Sequence, residues 1–198
     1  YDNRWNRKRG SPVKSAKIFL AGMYINLLLS ILIPGLAIVL AAFFWTDTLA
    51  ILFDFLILFY LLMIGIVHIL GWISAGFAVC AYQAGEYEKL RRGWTVLKIW
   101  SVPFYILNFL YSFIVWGTLV GASRGILVIL VPIPIFITCS MVVQSGFHGI
   151  CYVMFLRKRP AIHKRPSEVH YAFQLVPMLD ILSTIILLRK YPAADILS

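Results

Sequence analysis

The residues able to do chemistry in this chain sit inside long apolar stretches: Asp54, His68, His148 and Asp180, with Asn26, Asn108, Gln144 and Gln174 as uncharged companions. An ionisable side chain at membrane depth is costly to insert, so each is a functional candidate by default. Asp54 lies close enough to the end of its stretch to reach lipid headgroups. The others share a spacing. Asn26 is nine residues in from Lys17, Asn108 ten from Lys98, His148 nine from Arg157 and Asp180 ten from His170. At a rise of 1.5 Å per residue, each lies roughly 14 Å from a common boundary. This predicts one polar layer near the membrane midplane, with Asp180 paired to His148 and with Asn26 and Asn108 completing the network. The spacing also arises by chance, since about ten residues in is simply the middle of a span. His170, Gln174, Pro177, Asp180 and Thr184 fall within an arc of about 120° on a helix, with Ser183 outside it. Two readings of these groups stay open: interhelical glue, or a proton or ion relay.

Soluble and membrane catalysts leave motifs that are missing from this sequence. It has no H-E-x-x-H zinc pair, no phosphate loop and no G-x-S-x-G elbow. Ser145-Gly146 before His148 does not build a nucleophile–base pair, because no orienting acid or oxyanion donor accompanies it. Neither His68 nor His148 has a Glu or Cys nearby in sequence to form a metal set. Cys80, Cys139 and Cys151 have no metal-ligand or disulfide spacing and read as small buried hydrophobes, with acylation of Cys80 or Cys151 as the alternative. The expectation is a non-enzymatic protein with no metal and no cofactor.

Elements that could position these residues follow from composition. Of 198 residues, 61% are hydrophobic and 13% charged, and the mean hydropathy is +0.87. A chain this small leaves too much surface exposed to hide that apolar content from water. The expected fold is all-α, a polytopic transmembrane helical bundle forming a single membrane domain over residues 1–198. A basic tail (1–17) precedes spans at about 18–45, 49–82, 99–120 and 126–156, each long enough to cross a bilayer core of roughly 30 Å. A fifth segment, 171–188, is interrupted by Pro177 and Asp180; its apolar length favours crossing, and Arg189 with Lys190 beyond it favours a return to the starting side. The chain starts at Tyr1 rather than Met, which is compatible with further sequence upstream.

Fifteen Lys and Arg residues lie in the N-terminal tail and the second-to-third and fourth-to-fifth connections, against Arg124 alone in the opposite ones. That asymmetry places the N-terminus in the cytoplasm. Arg7, Lys8, Arg9, Arg91, Arg92, Arg157, Lys158 and Arg159 are expected to contact lipid headgroups, which accounts for the net charge of +10 without nucleic acid as a partner. Glu86–Lys98 is expected as an interfacial helix, with Glu88 four residues before Arg92 and with Trp94 and Trp100 at headgroup depth. Gly117, Gly121 and Gly125 permit close helix contact within the bundle or in a homo-oligomer.

Three segments carry a family resemblance. Leu90-Arg91-Arg92 through Leu97-Lys98-Ile99 to Pro103-Phe104-Tyr105-Ile106-Leu107-Asn108-Phe109 is the first. Ser145-Gly146-Phe147-His148-Gly149-Ile150 is the second, and His170 to Leu188, with Gln174, Pro177 and Leu179-Asp180, is the third. Over roughly the second half of the chain they resemble an uncharacterised Firmicutes-type family of small bacterial integral membrane proteins, a domain of unknown function. The resemblance implies a multi-pass protein of the bacterial cytoplasmic membrane with four or five helices, and it transfers no activity. Three functions stay in view. The first is a non-catalytic subunit or accessory of a membrane complex, with a membrane protein or a second copy as partner. The others are a small-solute or ion transporter or channel using the polar layer, and, least favoured, a membrane-embedded enzyme.

Overall fold

The computed structural model describes residues 11–44, 47–122, 124–125, 128–129, 132–158, 164–176 and 179–191. Arg7, Lys8, Arg9 and Arg159, expected at headgroups, lie outside them. The described residues form six α-helices: α1 (Pro12–Phe44), α2 (Asp47–Gln83), α3 (Tyr87–Ala122), α4 (Pro132–Lys158), α5 (Lys164–Leu175) and α6 (Leu179–Lys190). Among the described residues there is no strand. The fold is the expected all-α bundle, and among the described residues four helices are long and apolar enough to cross a membrane.

Helix ends follow local chemistry. Ser11 caps α1 by accepting the Val13 amide at 3.3 Å, and Pro12 takes the first helical position, where a missing N–H costs nothing. Between α2 and α3 the Glu86 amide reaches the Ala81 carbonyl and the Gly85 amide reaches that of Tyr82. This Schellman turn needs the left-handed backbone that Gly85 adopts at φ 69°. The expected interfacial helix and third span prove to be one element. Nothing breaks the backbone between Tyr87 and Ile99, and Leu90, Trp94 and Leu97 are all fully buried along one stripe. Trp94 is therefore a core residue, whereas Trp100 is 59% exposed. The fourth helix begins at Pro132 rather than at 126, again with proline at the first position.

In the bundle, α1 packs between α2 and α3, and α4 closes the other side against the same two helices. Phe19, Met23, Val67, Leu97, Phe104 and Met141 form the inner core. Toward the end that holds the α2–α3 turn, Trp94 stacks on Tyr152 with ring centroids 4.5 Å apart, beside Tyr87, Phe155 and Leu187. Because this end also holds Lys89, Arg92, Arg157 and Lys158, it is the basic end. Large apolar side chains cover the outer faces of the long helices, including Leu58, Phe113 and Phe136.

Instead of forming one helix, the segment 171–188 is divided. Helices α5 and α6 have 12 residues each, about 18 Å apiece and short of a bilayer core of roughly 30 Å. The His170 Nδ1 lies 2.8 Å from the Ser183 hydroxyl, whereas in one helix thirteen residues would separate them by about 20 Å. The chain folds back as a hairpin, α5 on α4 and α6 on α5 and α3. Proline at 177 explains the break, since it disfavours helical backbone at Val176 and offers no amide. The Tyr152 hydroxyl donates to the Tyr191 carbonyl at 3.5 Å, so α6 runs back to the basic end and delivers Arg189 and Lys190 there.

Candidate functional site

Along α3, Trp94, Lys98, Ser101 and Tyr105 recur at helical spacing on an inward face. Lys98, counted from sequence among the loop cations, is instead in the core. Its ammonium is 2.5 Å from the Asp180 carboxylate, and each side chain is only 1% exposed. The ammonium also donates to Ser145 Oγ at 3.2 Å. That hydroxyl donates onward to the Val142 carbonyl at 2.9 Å, and the Tyr105 hydroxyl lies 3.4 Å from it. Either charge alone would be held out of water at a cost of several kcal/mol; together they offset much of it. Asp180 sits in the first turn of α6, where the helix dipole favours an anion.

The expected Asp180–His148 pair does not form. His148, fully buried, instead places Nε2 3.4 Å from Ser74 Oγ. Asn108 bonds Thr138 at 2.9 Å, and it stands ten residues, about 15 Å, along α3 from Lys98. The single layer is thus two tiers: Lys98, Asp180, Ser145 and His148 nearer the basic end, and Asn108 with Asn26 beyond. Between them Gln144 donates to the His68 carbonyl at 3.3 Å, and His68 bonds Ser140 at 2.5 Å. Asp54 is exposed on α2.

Small residues let the hairpin approach α4. A Cβ at Gly146 would collide with the Gln174 carbonyl, and one at Gly149 with the Gln174 amide and, at 2.9 Å, with Trp94 Nε1. Ser183, expected outside the polar arc, is the hub of the hairpin: besides His170 it receives the Gln174 amide at 3.1 Å. Helical-wheel geometry could not place it there, because the wheel assumed one continuous helix. Trp94 Nε1, Gln174 Oε1, His148 Nδ1 and Asp180 Oδ1 are buried without a hydrogen-bond partner among the described residues.

His170 makes the docking sensitive to pH. Burial holds its imidazole below the ordinary value of 6.5, and the Lys190 charge pushes the same way. The undocked ring binds a proton more readily than the docked one. Hairpin stability is therefore full above the ordinary value and declines as pH falls below it. Between pH of about 7 and about 5, the thermal midpoint should fall further in the native chain than in His170→Gln. Equal falls would assign the sensitivity elsewhere.

The basic end is mixed in its cations. Arg157 and Lys158 are exposed, and Arg92 is exposed beside Glu88 at 3.2 Å, in the expected order. Arg91 is half-buried and interacts with the Tyr152 hydroxyl. Cys151 is buried, which removes it as an acylation candidate, while Cys80 is exposed. A Cβ at Gly117, Gly121 or Gly125 would meet nothing among the described residues within 4 Å, so no close contact to another described element depends on these glycines. Among the described residues, no three His, Cys, Asp or Glu side chains gather to hold a metal ion.

The profile of a family of unknown function, DUF6652, matches residues 14–193, well beyond the second half in which the resemblance was read. No curated protein matches the chain, and no solved structure does.

Proposed function

We propose that this chain, which belongs to the family of unknown function DUF6652, works as a non-catalytic subunit or accessory of a larger complex in a bacterial cytoplasmic membrane. The observation that carries this reading is the closure of the Lys98–Asp180 pair, 1% exposed on both sides. A transport pathway needs charges that meet water or solute in at least one state. Here they are consumed in fixing a hairpin to the bundle. What the hairpin offers outward is apolar: Leu179, Leu182, Ile185 and Ile186 on α6 are exposed, a rigid ledge suited to another membrane protein. Orientation with the N-terminus inside is supported by the hairpin's return, which leaves Arg124 as the lone cation assigned to the opposite side.

A second reading, a small-solute or ion transporter, draws on the unpartnered Asp180 Oδ1 and His148 Nδ1, which could pass a proton if the hairpin moved. Native mass spectrometry of particles extracted into nanodiscs from cells that express the chain separates the two. A stoichiometric second protein is the expected result. The chain alone, together with proton-dependent flux in liposomes that is lost in Asp180→Asn, would overturn the subunit reading.

A further inference from the structure

Beyond the ion pair, on the side away from the basic end, the four long helices line a half-open hollow of about 670 Å³, within the range of small-molecule sites. Asn26, Phe104 and Met141 line it toward the core, and Ile33, Ile57 and Ile64 line its walls. Among the described residues no charged side chain lines it. An ion entering would be stripped of water with nothing to pair against, so the hollow selects against charge.

Its polar groups are mostly engaged with one another. Tyr111 donates to the Ser30 carbonyl, Ser30 Oγ to that of Leu27 at 2.7 Å, and Asn108 to Thr138. Asn26 differs. It is 7% exposed, lines the hollow, and its Oδ1 has no partner among the described residues. A buried acceptor left without a donor is destabilising, and a hydroxyl on a molecule occupying the hollow would supply one.

A second hollow, about 590 Å³, lies between α3 and α4. Asn108, Ser112, Trp116, Pro134 and Thr138 belong to the linings of both, so the Asn108–Thr138 bond stands in their common wall. On its outer side are Phe109 and Phe113, 68% and 73% exposed, on surfaces that face lipid in a membrane. The geometry points to a binding site for a neutral amphiphile drawn from the bilayer: an apolar body in the hollow, a hydroxyl on Asn26, and entry between α3 and α4.

The test uses the full chain in phosphatidylcholine nanodiscs with a diazirine-bearing monoacylglycerol, its crosslinks mapped by mass spectrometry. Labelling is expected on Ile33 and Ile64, which are half-buried, and is expected to saturate and be displaced by unlabelled monoacylglycerol. Asn26→Leu should weaken displacement about fivefold, the size of one hydrogen bond in net terms. It should leave the thermal midpoint unharmed, because it removes an unpaired acceptor. Ile64→Trp, which narrows the hollow without filling it, should reduce interior labelling. A diazirine fatty acid kept ionised should label the outer faces only. Labelling spread evenly over exposed residues such as Leu28 and Phe113, equal interior labelling by the ionised fatty acid, or unchanged displacement in Asn26→Leu would each overturn the assignment.

Discussion

Asp180→Leu, with Lys98 left in place, should lower the stability of the fold by about 3–5 kcal/mol, the cost of stranding one charge of a buried pair. The ammonium would keep Ser145 Oγ as its neighbour, and a neutral hydroxyl cannot replace a carboxylate 2.5 Å away. Lys98→Met should cost a similar amount, because the carboxylate then has no cation. The double variant, Lys98→Met with Asp180→Leu, removes both desolvation penalties and should recover most of the loss. Reversible unfolding in mixed micelles reads all four proteins. A double variant no better than the worse single one would mean that charge compensation is not what the pair supplies. Added salt should change little, since a pair this buried is poorly screened. The damage should be largest over residues 164–191, because Asp180 anchors α6 to α3, and amide exchange resolves that location.

Gly146→Ala should release the hairpin by a different route. The new methyl would overlap the Gln174 carbonyl oxygen and lie 3.3 Å from its carbon. That obstacle is backbone of α5, so no side-chain rotation relieves it, and α5 must shift. Overpacking of this kind costs about 1–3 kcal/mol. Faster amide exchange in α5 and α6 with unchanged exchange in α1 and α2 is the expected signature. Gly117→Ala is the control. It sits within α3 with nothing among the described residues within 4 Å, and alanine there should be neutral or stabilising by up to about 1 kcal/mol through helix propensity. If Gly146→Ala behaved as Gly117→Ala does, the close α4–α5 contact would not exist in the protein.

Much of the framework is legible without coordinates. Hydropathy and length suffice for the four long helices, because each must satisfy its own backbone and present apolar side chains over some thirty ångströms of lipid. Asp180, His148 and Gln174 stand out because polar groups are rare in such stretches. Lys98 does not. It follows the basic cluster Lys89, Arg91 and Arg92, and a boundary drawn at Ile99 assigns it to a loop. The stripe through Trp94 and Leu97 was the available signal that the helix had already begun.

By itself, then, the sequence determines that the chain is a bundle of apolar helices with one strongly basic end, and which polar residues are costly enough to need partners. These are properties of composition and short-range periodicity, readable one helix at a time. Which partner each polar residue finds is decided by the tertiary structure alone. Lys98 and Asp180 are 82 residues apart, and they meet because the chain reverses after Val176. That reversal turns a candidate fifth crossing into a hairpin, carries Asp180 away from the tier of Asn26 and Asn108, and leaves Asn26 facing a hollow. A one-dimensional pattern records how deep each residue lies within its own segment. It does not record how segments shift along one another when glycines such as Gly146 and Gly149 allow close approach, and that shift sets every long-range contact described here.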